Sequence, residues 1–223
     1  MNSYSHQILE VSHNHYRERR KQYPALPKSR EGVHHALTQM NTKTSRDEEF
    51  LLVNNEKSGT IILSCDTNLQ FLVNSVQEMF VDGTFKCCPK FFFQLYTVHG
   101  MRNGHYIPLV YALLNGKSED KYRSFWNDLL TICTERNLQL KPSIIHVDFE
   151  QAMHNVLKEI VSDAQLKCCR FHLAQEWWRK IQSVGLSNEY KNAESQLGKW
   201  LKWFFGLHFV DAVEVEDIRI PDV

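Results

Sequence analysis

The segment MFVDGTFKCCPKFFFQLYTVHGMRNGHYIPLVYALL, residues 79–114, decides the fold. Met79-Phe80-Val81 leads into Asp82-Gly83-Thr84-Phe85, Phe91 to Val98 follows, Arg102-Asn103-Gly104-His105 turns, and Tyr106 to Leu114 runs back. Apolar runs bounded by turn residues predict three consecutive strands in a meander, the first unit of a sheet. Downstream, Glu119 to Arg136 places Tyr122, Phe125, Trp126, Leu129, Leu130 and Cys133 at helical spacing, which predicts a helix with one buried face. After Pro142, Ile144-Ile145-His146-Val147 reads as a strand ending at Asp148. Gln151 to Val161 then repeats the helical rhythm through Val156, Leu157 and Ile160. Gln165 to Phe171 reads as a fifth strand, and the Trp177, Trp178, Ile181 spacing predicts a helix from Leu173. Hairpins followed by alternating strands and helices argue for an α/β protein with a mixed five-stranded sheet flanked by helices.

Upstream, residues 1–57 are polar, punctuated by Pro24 and Pro27, and read as an N-terminal arm. Between positions 17 and 30 six basic residues, Arg17, Arg19, Arg20, Lys21, Lys28 and Arg30, face one acid, Glu18. Such a run reads either as a solvated linker or as a nucleic-acid or nuclear-import contact, with Arg17, Arg19, Arg20 and Lys21 as the DNA-contact candidates. Across all 223 residues Lys+Arg 26 balances Asp+Glu 26, so attraction to a polyanion must come from local clusters. With 43% hydrophobic and 12% aromatic residues the chain has ample core material, which excludes low-complexity disorder for most of it. The first fifteen residues hold no apolar leader core, and the longest apolar stretch, Tyr106 to Leu114, falls far below the roughly 18 residues of a membrane span. The six cysteines, at 65, 87, 88, 133, 168 and 169, lack framework spacing, and reduced thiols of a cytosolic or nuclear compartment fit better than disulfides. Cys87-Cys88 has no ligand-spaced partner and reads as packing.

Two carboxylates stand out by position. Asp82 ends one hydrophobic run inside VDGTF, and Asp148 ends another inside HVDFE. A charge at the end of an apolar strand is costly to bury unless it is paired or holds a cation. In open α/β sheets ligands gather at strand ends, so two such acids could hold a divalent metal, while each alone could equally be a turn or helix-cap aspartate.

Four ordered blocks carry a resemblance: MFVDGTFKCCPKFFFQLYTVHG, GHYIPLVYALLNGKSEDKYRSFWNDLL, SIIHVDFEQAMHNVLKEI and CRFHLAQEWWRKI. In order and spacing they resemble the Mutator-like element (MULE) transposase domain over about residues 78 to 210. The resemblance implies a ribonuclease-H-like fold and an Asp-Asp-Glu triad that binds two divalent cations, magnesium or manganese, to cleave and join DNA. By position Asp82 matches the first aspartate and Asp148 the second, and both are implied as catalytic and metal-binding. The family's glutamate follows a helical insertion well downstream, whereas this sequence reaches Val223 soon after His172, so the expectation is a C-terminally truncated domain with impaired catalysis. Glu176, Glu214 and Glu216 are the remaining acids, and none stands in the expected context. The organisation implied is an arm over 1–57, an incomplete transposase domain over 58–210 and an acidic tail over 211–223.

Cys169-Arg170-Phe171-His172 is similar to the family's Cys-x-x-His pair, although two ligands alone cannot close a tetrahedral zinc site. The alternative is a strand cysteine followed by a helix-start histidine. Ser12-His13-Asn14-His15 resembles the His-x-His end of a FLYWCH-type zinc finger, yet no cysteine precedes Cys65, so two of that finger's ligands are absent. The partner implied is DNA, with a homo-oligomer as an option, no membrane, and the nucleus as compartment. A second reading is a domesticated DNA-binding or transcriptional regulator without catalysis, since far-red-response transcription factors resemble the same transposases.

Overall fold

The computed structural model describes residues 24–210. They divide into two compact units: one runs to Ile145 and resumes over Gln151–Leu166, and the other comprises His146–Glu150 and the residues from Lys167 on.

In the first unit, α1 (Arg30–Thr38) starts at Ser29, whose hydroxyl accepts the Gly32 N–H and so satisfies one of the orphan donors of the first turn. Its buried His34 is tied to the next element: His34 Nδ1 lies 2.5 Å from Asn54 Oδ1, and Asn54 Nδ2 donates to the His34 carbonyl. Asn54 belongs to β1 (Leu51–Asn55), which forms a hairpin with β2 (Thr60–Leu63). After α2 (Asp66–Ser75) come β3 (Glu78–Thr84), β4 (Gln94–Arg102) and β5 (His105–Leu114), paired antiparallel in sequence as the meander requires. The β4–β5 turn has positive φ at both Asn103 (51°) and Gly104 (77°), the geometry whose twist matches the flanking strands and that Asn-Gly adopts most readily. Next is α3 (Glu119–Glu135), with Glu119 and Asp120 in its first turn, where negative charge meets the positive helix end. It is followed by β6 (Ile144–Val147), α4 (Gln151–Ile160) and β7 (Gln165–Cys168).

The sheet order is β1-β2-β5-β4-β3-β6-β7. The start of β6 joins the start of β3 through the Ser143 and Ile144 N–H groups, both donating to the Gln77 carbonyl, so these two strands set out from the same end of the sheet. The sheet is mixed and has seven strands, not the five expected. The two extra strands precede the meander: β2 adds antiparallel to β5, pairing Ile61 with Leu113, and β1 closes the edge. Sequence periodicity misses them because β2 is four residues long and β1, inside the stretch read as a polar arm, is half-exposed throughout.

The core of this unit lies on one sheet face. Met79, Val81, Tyr96, Val98, Val110, Ala112 and Leu114 meet Tyr122, Phe125, Trp126 and Leu129 of α3 and Met153, Val156 and Leu157 of α4, all buried. Aromatic edges interlock there: Tyr96 lies 5.1 Å from Phe125 and 5.7 Å from Tyr122 between ring centroids, and the Tyr96 hydroxyl reaches Met153 Sδ at 3.3 Å. Alternation along β3 leaves Phe80, Asp82 and Thr84 half-exposed on the opposite face.

The second unit is built on helices. α5 (Arg170–Ser183), α6 (Ser187–Lys191) and α7 (Gln196–Phe204) share an aromatic cluster in which Trp177 and Tyr190 each sit 5.5 Å from Phe205, and Trp178 sits 5.1 Å from Tyr190. α5 begins three residues before the Leu173 expected. β7 stops at Cys168, and the Cys169 N–H, the cap of α5, donates to the Val147 carbonyl at 2.6 Å.

Candidate functional site

Asp82 does not end its strand, because β3 continues to Thr84. It pairs with Thr97 of β4, whose hydroxyl donates to the Asp82 carbonyl at 3.4 Å. His99 stands one alternation further along β4, opposite Phe80, where the β4–β5 register slips by a bulge between Val98 and His99. Burial pushes the His99 imidazole below its usual value of 6.5, while the Asp82 carboxylate and a hydrogen bond to the Phe80 backbone pull it partly back. Phe80 itself stacks edge-on with Tyr106, 4.7 Å between centroids. The first unit thus sets a carboxylate and an imidazole on one face of β3 and β4.

The depressed His99 value fixes a pH dependence. A base whose folded pKa lies below its unfolded pKa binds more protons unfolded, so its contribution to stability is whole above about pH 6.5. It is lost as pH falls from there towards the folded value. The expected result is that His99→Gln flattens the loss of urea stability between about pH 7 and pH 5 relative to wild type. Identical slopes for the two proteins would show that His99 does not titrate this way.

In the second unit Asp148 follows β6 directly, and its Oδ1 accepts the Glu150 N–H at 2.9 Å, an Asx turn in the connection to the next helix. Cys168 lies in its field. Partial burial of the sulfur raises the Cys168 thiol although the residue as a whole is exposed, and the Asp148 carboxylate and Cys169 push the same way. Cys169 caps α5 and His172 lies in its first turn, against Phe171 at 5.6 Å, so both members of the Cys-x-x-His pair are helix-start residues. Glu176 projects from the same helix, exposed, in an ion pair with Arg179. Cys87 is exposed and Cys88 half-buried, donating to the Pro89 carbonyl, so packing does not account for Cys87.

Arg17, Arg19, Arg20, Lys21, the Ser12–His15 stretch, Glu214 and Glu216 lie outside the described residues. Among those described, no group of three or more His, Cys, Asp or Glu side chains could hold a metal ion. The donors that are present suit a hard cation: carboxylate oxygens match magnesium, which keeps several waters and takes one or two protein carboxylates. His99 is the site residue that sequence reading misses. The available signal is alternation, since Thr97 and His99 share a strand face, but the predicted strand ended at Val98.

The fold is α/β, a mixed sheet flanked by helices, with Asp82 within a strand and Asp148 just past one. Residues 78–176, a segment that contains Asp82 and Asp148 and ends at Glu176, match the family model of the MULE transposase domain. The matched segment spans less than half of the chain and is a likeness to that domain. No curated protein matches the chain. No helix among the described residues is long and apolar enough to cross a membrane.

Proposed function

We propose that this protein is a transposase-derived DNA-binding protein of ribonuclease-H-like fold, acting in the nucleus, in which Asp82 and Asp148 are the aspartates of an Asp-Asp-Glu set. The observation that carries the reading is the MULE transposase match over 78–176, which includes both residues. Asp82 lies within β3 and Asp148 directly follows β6. Each aspartate would supply hard oxygen donors to magnesium or manganese. Such a cation, when bound, polarises phosphate oxygens and lowers the pKa of an attacking water. Arg17, Arg19, Arg20 and Lys21 would add phosphate contacts, each worth about one unit of salt slope. Cys169 and His172 serve the start of α5 in this reading, with zinc left as the alternative ligand of the pair.

Catalysis is proposed to be impaired. Glu176, the acid at the end of the matched segment, lies on an exposed helix face in an ion pair with Arg179, and the alternative reading is a regulator that binds DNA without cutting it. The test pairs manganese titration with a strand-cleavage assay on wild type, Asp82→Ala and Asp148→Ala. Expected are weak manganese binding that drops at least about tenfold in either variant, and no cleavage above the Asp148→Ala background. Cleavage that disappears in Asp148→Ala would overturn the impairment. Manganese binding indifferent to both substitutions would overturn the metal assignment.

A further inference from the structure

Helix α7 lies beyond the matched segment and carries an unusual surface. The sequence QLGKWLKWF is held at its start by Ser195, whose hydroxyl accepts the Gly198 N–H at 3.0 Å. Gly198 turns inward against α6 so closely that a Cβ there would meet the Glu189 carbonyl at 2.1 Å, which fixes which face of α7 is covered. Most of the rest of the helix surface is exposed, and Lys202, beside the covered face, lies over the Tyr190 ring at 5.6 Å. At 100° per residue Lys202, Lys199, Trp203 and Gln196 follow one another around the helix, all exposed; half-buried Trp200 comes next, and exposed Phe204 and Leu197 lie beyond it. Trp203 is 59% and Phe204 46% exposed, a large area of aromatic surface for a nine-residue helix. No acid lies on α7, and from Lys167 to Val210 seven Lys or Arg stand against three Glu in a chain whose overall charge is zero.

Interleaved cations and exposed aromatic rings on one rigid surface are what an unpaired nucleic-acid strand requires. Bases stack on the rings without regard to sequence, and ammonium groups follow the phosphates. A duplex hides its base faces, so it could use only the lysines. We infer that the exposed face of α7, centred on Trp203 with Lys199 and then Lys202 along one side of it, is a stacking site for single-stranded DNA. The inference rests on the DNA-binding reading above and adds to it a second, strand-selective surface. Charge complementarity favours this occupant over an apolar protein partner, since the aromatic arc is bordered along one side by two lysines and by no acid.

The probe is fluorescence anisotropy of labelled oligo(dT) of about twelve nucleotides and of a mixed-sequence duplex, read with the full chain. Trp203→Ala should weaken oligo(dT) binding about 5- to 150-fold, the range of one lost stacked base, and leave duplex affinity within about twofold. Trp203→Phe, which keeps a ring, should restore most of the loss. Lys199→Ala with Lys202→Ala should flatten the oligo(dT) salt slope by about 1.4 units. Because Trp203 is exposed, thermal unfolding of each variant should match wild type. Equal oligo(dT) affinity for Trp203→Ala and wild type would overturn the inference. So would a Trp203→Ala change in sedimentation mass, or binding to anionic vesicles that depends on Trp203, together with unchanged oligo(dT) affinity. Failure of wild type to bind either DNA would overturn the DNA-binding reading itself, whereas duplex binding without oligo(dT) binding would overturn this inference alone.

Discussion

Replacing Trp126 with alanine is expected to cost about 3–5 kcal/mol of stability in the first unit, the range for deleting a fully buried large aromatic ring. Trp126 is wholly inaccessible and packs edge-on against Phe125 at 5.3 Å, which in turn meets Tyr96 of the sheet. Alanine would leave a cavity between α3 and the core face of the sheet, and interiors packed at crystal density relax into such voids only partly. A loss of this size is a large part of the roughly 5–15 kcal/mol that separates folded from unfolded chains. The indole Nε1 is buried without a hydrogen-bond partner among the described residues, so the ring's value here is shape and area. Trp126→Phe should therefore cost much less, because it removes an unsatisfied donor along with part of the volume. Urea titration of the three proteins checks this, and similar midpoints for Trp126→Ala and Trp126→Phe would show that the site collapses around the smaller residue.

Gly83→Ala should destabilise the same unit by about 1–3 kcal/mol, the cost of overpacking a filled core, although the residue sits beside Asp82 in a motif that reads as catalytic. A Cβ at position 83 would lie 2.3 Å from Oε1 of Gln94. Gln94 cannot retreat cheaply: it is completely buried, and its Nε2 donates to the Gly116 carbonyl at 2.9 Å and to the Tyr122 hydroxyl at 3.1 Å. Moving the amide would break bonds that fasten the start of β4 to the loop before α3 and to α3 itself. A double-mutant cycle separates the causes. Gln94→Ala alone leaves the Tyr122 hydroxyl and the Gly116 carbonyl without this partner, and Gly83→Ala added to it should cost far less than it does in wild type. Additive losses would mean that the glycine is needed for its backbone and not for the space it leaves.

Both expectations concern the face of the sheet away from Asp82, and they show how far the strand pattern could be read in advance. The meander, the Asn103-Gly104 turn, α3 and β6 are legible because each is specified by neighbours in sequence: period two, period 3.6, or a residue pair that accepts positive φ. Alternation in β3 likewise fixes that Asp82 and Val81 face opposite ways. The early start of α5 was hidden because a backbone bond to Val147, not a side-chain signal at Cys169, ends the strand there. A short strand such as β7 offers too few residues for any period to register.

The sequence by itself determined the order of strands and helices from position 78 as far as α5, the side of β3 on which Asp82 lies, and the aspartate that closes β6. These follow from the chirality and repeat of the local backbone. Tertiary structure alone decided that β1 and β2 extend the sheet beyond β5, that a bulge at Val98–His99 shifts the β4–β5 register beside an imidazole on the Asp82 face, and that Gly83 makes room for Gln94. Pairing partners, register and the filling of a core are contacts between residues far apart in the chain. Their free energy depends on which surfaces meet, and no window of neighbouring residues contains that information.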